Sequence, residues 1–237
     1  MDAAGYTTLT RQTGLQREIQ AIANNLANSA TTGFRREGVI FAEHVRKLDD
    51  APSLSMARAS GRNIDLTQGE LSVTGGTFDF AIQGEGFFLL ETPQGNRLTR
   101  AGAFTPNGTG DLVNPDGYRL LDAGGAPVFV PAGPGKISLA EDGTLSRAGE
   151  PITRIGLWLP ADPTDLRHEG GTVFATDGGE VPAEGGSLLQ GQVEGSNVNP
   201  FAEVARMIEV QRAYEAGQGF LDREHDRKQS VIRTLGR

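Results

Sequence analysis

Cysteine is missing from all 237 residues. That removes disulfides, zinc–thiolate sites and thiol catalysis together and leaves the compartment open. It suits a chain that has to travel unfolded without cross-linking. A basic excess is missing too. With 22 Lys and Arg against 30 Asp and Glu the formal charge is −8, and no basic cluster stands out. Nucleic acid, which binds through neutralised phosphates, is therefore not expected as a partner. No apolar run approaches the ~20 residues that cross a bilayer, so membrane insertion is not expected. The opening "MDAAGYTTLTRQTGLQRE" lacks a charged-then-apolar start and a small-residue cleavage site, so a Sec signal peptide is not expected either.

Turn formers are abundant. Glycine (33) and proline (12) make up about 19% of the chain, above the usual ~12%, which favours β-hairpins over a helical bundle. They are unevenly spread. Residues 2–31 hold no proline, and Leu15, Ile19, Ile22 and Leu26 step by 4, 3 and 4, the spacing of a coiled-coil seam. Residues 200–235 repeat the pattern through Met207, Val210, Tyr214, Leu221, Val231 and Leu235, interrupted at Gly217, Glu224 and Lys228. Val204 and Ile208 widen that stripe. Asn199 is a good N-cap, Pro200 suits the first helical position, and Arg223, Arg227, Lys228 and Arg233 suit the C-terminal end of the dipole.

Between these ends, residues 72–195 carry short β-branched and aromatic runs such as "FDFAIQGEGFFLL" and "RIGLWL". Turn signals separate them at Pro93-Gln94-Gly95, Pro106-Asn107-Gly108, Pro115-Asp116-Gly117 and Glu141-Asp142-Gly143. Residues 35–71 are too long for an ordinary loop and predict extended or hairpin structure. The expected fold is α+β: terminal helices paired as an antiparallel, coiled-coil-like stalk, with an inserted mainly-β module. The expected domains are 1–34 with 197–237 (helical), 35–71 with 183–196 (extended connections) and 72–182 (β-rich). Two thin helices leave much surface uncovered, which argues for assembly.

Signals for chemistry are weak. His44, His168 and His225 fall in three different zones; His44 and His168 read as surface residues, and "DREHDR" around His225 as a solvated charged face. "NPDGY", with Asp111, Asn114 and Asp116 nearby, has acidic spacing without the register of a calcium loop and reads as a hairpin turn. "IQGEGFF" is not a dinucleotide fingerprint, and "GTLSRAG" lacks the serine-elbow pattern. No pair of carboxylates is singled out for glycosidase work. The reading is a non-enzyme with no metal and no cofactor; a carbohydrate-active enzyme or binding module is the alternative from another class. Asn24, Asn25 and Asn28 are unusual within a helical pattern. Asn25 lies on the flank of the seam, and Asn24 and Asn28 share a rear face with Arg17 and Gln20. Spacing leaves open whether that face meets water or a neighbouring subunit.

Four blocks carry a resemblance: "ANNLANSATTGFRRE", "SGRNIDLTQGELSVTGGTFDFAIQGEGFF", "LTRAGAFTPNGTGDLVNPDGYRLL" and "EGSNVNPFAEVARMIEVQRAYEAGQGFLD". Together, in this order, they resemble the flagellar rod and hook axial proteins; about residues 125–185 carry no matching motif. Within that family Met1, Asp2, Tyr6, Leu9, Arg11 and Gln12 look like the proximal rod type, with the distal rod type as runner-up. The resemblance implies a drive-shaft subunit in the basal body, spanning the periplasm, transmitting torque and exported through the flagellar type III apparatus. It also implies assembly with copies of itself, with other rod subunits and against ring proteins. The terminal helices would form the inner tube and the β module would lie outside. The assembly residues it implies are Leu15, Ile19, Ile22, Asn24, Asn25, Leu26, Asn28, Thr32, Gly33 and Phe34 at one end. At the other they are Asn197, Asn199, Met207, Ile208, Gln211, Arg212, Tyr214 and Leu221.

Overall fold

A computed structural model describes residues 3–48 and 51–235, with side chains described for 7–41 and 61–234. Met1 and Asp2 lie outside the described residues, as do the side chains of Tyr6 and His44. The fold is α+β, with the two terminal helices packed together and a β-rich middle. The chain divides into two compact units. One comprises Met1–Ala27, Glu37–Asn63 and Asn199–Arg237; the other comprises Asn28–Arg36 and Ile64–Val198.

In the first unit, α1 (Ala3–Ala27) and α2 (Pro200–Leu235) accompany a long two-stranded ribbon, β1 (Glu37–Leu48) and β2 (Ala51–Ile64). The stretch after the first helix, expected to be extended or a hairpin, thus contains two paired strands. Asn199 caps α2: its Oδ1 accepts from the amides of Phe201 (3.1 Å) and Ala202 (3.2 Å), while Pro200 fills the position whose amide needs no partner. The helices run antiparallel, because partners on α2 fall as those on α1 rise. Gln12 Nε2 donates to Tyr214 O (2.8 Å), Arg206 pairs with Glu18 (2.7 Å), and Asn25 Nδ2 donates to Glu203 (3.2 Å). Leu15, Ile22 and Val210 are buried between them, with Ile19, Met207, Ala213 and Tyr214 packed alongside.

Four positions of the expected stripes differ, Val231 among them at 47% exposed. Leu26 is 36% exposed, and the buried place at that level belongs to Asn25. Period alone does not choose between them, since at 100° per residue Leu26 stands about 40° and Asn25 about 60° from Ile22; Asn25 is buried because Glu37 and Glu203 cover it. Val204 and Ile208 do not widen the packed stripe but are exposed at 44% and 45%. At 100° per residue they stand about 100–160° from Glu203 and Val210, which face α1.

The second unit is built from antiparallel strands. Its largest sheet runs Arg167–Gly170, Val173–Ala175, Gly95–Thr99, Phe88–Thr92, Arg119–Leu120, Leu112–Val113 and Thr105–Pro106. A three-stranded meander, Ile137–Leu139, Thr144–Arg147 and Glu150–Arg154, lies in the stretch without family motifs. Three short pairs tie distant parts of the unit: Leu71–Val73 with Gln192–Glu194, Phe80–Gln83 with Ser187–Gln190, and Trp158–Pro160 with Glu180–Pro182. The turns are those the sequence marks. In "NPDGY", Asn114 Oδ1 accepts from the amides of Asp116 and Tyr118, so this is a hairpin turn held by its asparagine. One apolar cluster gathers Phe80, Phe88, Leu90, Leu112, Leu120 and Leu145 with others; a second gathers Phe87, Leu89, Leu98 and Phe174. Strand Phe88–Thr92 feeds both, because alternate side chains point to opposite faces.

Candidate assembly residues and a buried charge cluster

In the helical unit the asparagine cluster splits. Asn25 is fully buried; its Nδ2 donates to Glu37 O (2.8 Å) and its Oδ1 accepts from Glu37 N (2.9 Å). One side chain thus satisfies both backbone groups at the start of β1, as a strand partner would. It also reaches Glu203, itself 2% exposed. Asn24 is exposed, as are Arg17 and Gln20 on the same face.

Asn28 and its neighbours belong to the β unit. Thr31 donates to Asn28 through its amide (3.1 Å) and its hydroxyl (3.2 Å), closing the turn. Gly33 then takes a φ of +73°, and a Cβ there would stand 2.2 Å from Ala101 N. Only glycine fits such a position. Phe34 is buried and stacks on His168 with ring centroids 5.0 Å apart. His168 is thus no surface residue. Phe174 packs against it (4.5 Å), and its Nε2 lies 2.9 Å from Arg35 O. A half-buried imidazole between two aromatic rings is a packing element. Asn197 ties the same region together, accepting from Arg36 N (2.7 Å) and donating to Asp65 O and Thr67 O.

The residues that sequence reasoning missed are charged and buried. Arg35, Glu194 and Arg100 are 0%, 0% and 3% exposed. Glu194 Oε1 accepts from Arg35 Nη2 (2.6 Å) and Gly69 N (2.7 Å), while Oε2 accepts from Arg100 Nη1 (3.1 Å). Its carbonyl accepts from Gly33 N (2.7 Å). Burial pushes the Arg100 guanidinium down to about 10, against the pull of Glu194 and with the push of Arg35. Asp65 is held below its ordinary value: burial raises it, but the hydroxyl and amide of Thr67 outweigh that. One carboxylate thus joins four segments of the β unit, which makes it a clamp. All four of those segments lie in motif blocks, but the pairing partners are 159 and 94 residues away, so no local pattern signals them.

The other implied residues are spread between interior and surface. Met207, Tyr214 and Leu221 are half-buried, while Ile208, Gln211 and Arg212 are exposed on α2. His225 is exposed and lies near Gln229. Among the described residues no group of three or more His, Cys, Asp or Glu is placed to hold a metal.

Two family models match: flagellar hook protein FlgE/F/G D1 domain over residues 81–147, and flagellar basal body rod FlgEFG protein C-terminal over 189–234. The chain is 35% identical to the flagellar basal-body rod protein FlgF of Caulobacter vibrioides, covering 100% of this chain and 99% of that one. This chain belongs to the flagellar basal-body rod protein family. Within the family, FlgF of Rhizobium meliloti is 34% identical over 100% of this chain and 99% of its own, and FlgG of Bacillus subtilis 28% over 96% and 97%. The similarity is thus greater to the FlgF type. The chain is accordingly a structural protein and not an enzyme. The matched C-terminal segment contains Glu194 and most of α2, and the matched D1 segment contains Arg100. Among the described residues no helix is long and apolar enough to cross a membrane.

Proposed function

We propose that this chain is a subunit of the proximal flagellar rod, polymerising with copies of itself and with other rod proteins into a shaft that transmits torque. The observation that carries this reading is end-to-end similarity to FlgF-type rod proteins. A helix pair with a narrow buried seam and an exposed apolar stripe on its outer side supports it. Residues 1–34 and 197–237 act as the inner-tube stalk, coiled-coil-like in its packing. Residues 35–71 and 183–196 are the connections, and 72–182 form the outer module. The exposed implied residues, among them Asn24, Leu26, Ile208, Gln211 and Arg212, meet neighbours; the buried ones, Leu15, Ile22 and Asn25, shape the subunit that does so. The shaft stands in the periplasmic space and its subunits leave through the flagellar type III export apparatus, with ring proteins as further neighbours.

Isolation of basal bodies tests this. The protein co-purifies with them, and deletion of its gene leaves basal bodies without a complete rod and cells that do not swim. Normal motility in the deletion strain would sink the reading.

A further inference from the structure

The helical unit carries a groove on one face and an apolar stripe on another. The groove has a volume of about 280 Å³ and runs between Arg11, Gln12 and Leu15 of α1 and Ala213, Ala216, Gly217 and Phe220 of α2. Small residues on α2 keep it open; a Cβ on Gly217 would stand 2.2 Å from Gln12 Nε2. Gln12 is 5% exposed, and while its Nε2 donates to Tyr214 O, its Oε1 has no hydrogen-bond partner. A buried acceptor in this state favours an occupant that brings a donor.

The stripe is Phe201, Val204 and Ile208, exposed at 86%, 44% and 45%. Steps of three and four put them on one face, and Arg212, exposed, continues that face one turn further on. From Phe201 to Ile208, as from Ala213 to Phe220, the helix advances about 10.5 Å, so stripe and groove match in length. Around α2 their centres are about 140° apart, and along it about 18 Å. Because the two patches are distinct, a contact between them is heterologous: each copy offers a stripe to one neighbour and a groove to another, and the chain of contacts stays open. One phenylalanine and two aliphatic side chains bury far less than the ~800 Å² per partner of a stable dimer. A single contact is therefore weak, and an array of copies is needed to hold it.

We propose that the occupant of the groove is a second copy of this chain, whose Phe201–Val204–Ile208 stripe seats in it while its Arg212 donates to Gln12 Oε1 of the first copy. This rests on the rod reading and names one contact within it. The absence of native cysteine makes the test direct. Purified full-length Val204→Cys and Ala216→Cys chains are mixed at high concentration and oxidised. The mixture is expected to give a cross-linked dimer that neither variant gives by itself, and the double variant a ladder of multimers. Adding Phe201→Ser or Arg212→Gln to the double variant is expected to suppress the ladder while far-ultraviolet circular dichroism stays unchanged. Absence of the ladder, or equal cross-linking between Val204→Cys and a Glu209→Cys control, overturns the proposal. If the ladder is absent but the protein is found in basal bodies, the contact falls and the rod reading stands; a ladder from a protein missing from basal bodies gives the reverse.

Discussion

Glu194 sits between two guanidiniums in the interior of the β unit, with Arg35 2.6 Å and Arg100 3.1 Å away. Two cations facing one carboxylate leave little room for its loss. Glu194→Gln keeps an acceptor for Gly69 N but removes the countercharge, and it is expected to destabilise the β unit by about 3–5 kcal/mol, the cost of stranding a buried charge. Glu169→Gln breaks a pair with Arg97 at a 44% exposed side chain, where solvent screens the charges, and is expected to leave the midpoint nearly unchanged. Urea titrations followed by Trp158 fluorescence separate the two; equal midpoints would refute the clamp. A second residue-scale effect lies in the turn between Thr144–Arg147 and Glu150–Arg154. Ala148 has φ +50° and Gly149 φ +89°, the positive pair that a type I′ turn requires. Alanine is strained there by about 1–2 kcal/mol. Exposed Ala148→Asn is therefore expected to stabilise the unit by about 0.5–1 kcal/mol, measured by the same titration.

At the scale of elements the two units are unequally supported. The helix pair rests on Leu15, Ile22 and Val210 with a few half-buried neighbours, whereas the β unit holds two larger clusters. Helices gain most of their stability from packing of an apolar face rather than from propensity, and α2 exposes Phe201, Val204, Ile208, Val231 and Ile232. In a dilute monomer the amides of 15–28 and 204–221 are expected to exchange far faster than those of Phe80–Gln83 and Phe88–Thr92. Hydrogen exchange followed by mass spectrometry reads this directly, and protection should rise on assembly. Equal protection of the two units in the monomer would show that the helix pair does not wait for neighbours.

For the whole molecule, acid weakens the fold through a few carboxylates. Asp142 is held below its ordinary value of 3.8 by the amide and hydroxyl of Thr144, and Asp165 by the hydroxyl of Thr176 and the amide of Gly178. Glu169 is held below 4.5 by Arg97, and Asp65 is lowered as described above. Depressed folded values mean that the unfolded chain binds more protons below these ordinary values. Their stabilisation is thus complete above them and lost as pH falls through the lower, folded ones. The melting temperature should be flat with respect to these groups above about pH 5 and fall below about pH 4. A melting temperature that rises on acidification through that window would contradict the assignment.

The helical ends, the Asn199 cap, the turns at Asn114 and Gly143, and the family were legible in the sequence, because each rests on spacing or on residues within a few positions of one another. The burial of Asn25 against Glu37 and Glu203, the clamp at Glu194 and the ring stack around His168 were not. Asn25 reaches across 178 residues to Glu203, and Arg35 across 159 to Glu194. Such pairings leave no local period, and a charged or amide side chain that is buried with its partner reads, one residue at a time, like one that faces water. The unusual asparagines of the first helix thus announced that something binds there. Only the packed chain decided that Asn25 binds its own strand, which leaves Asn24 among the exposed residues of that face.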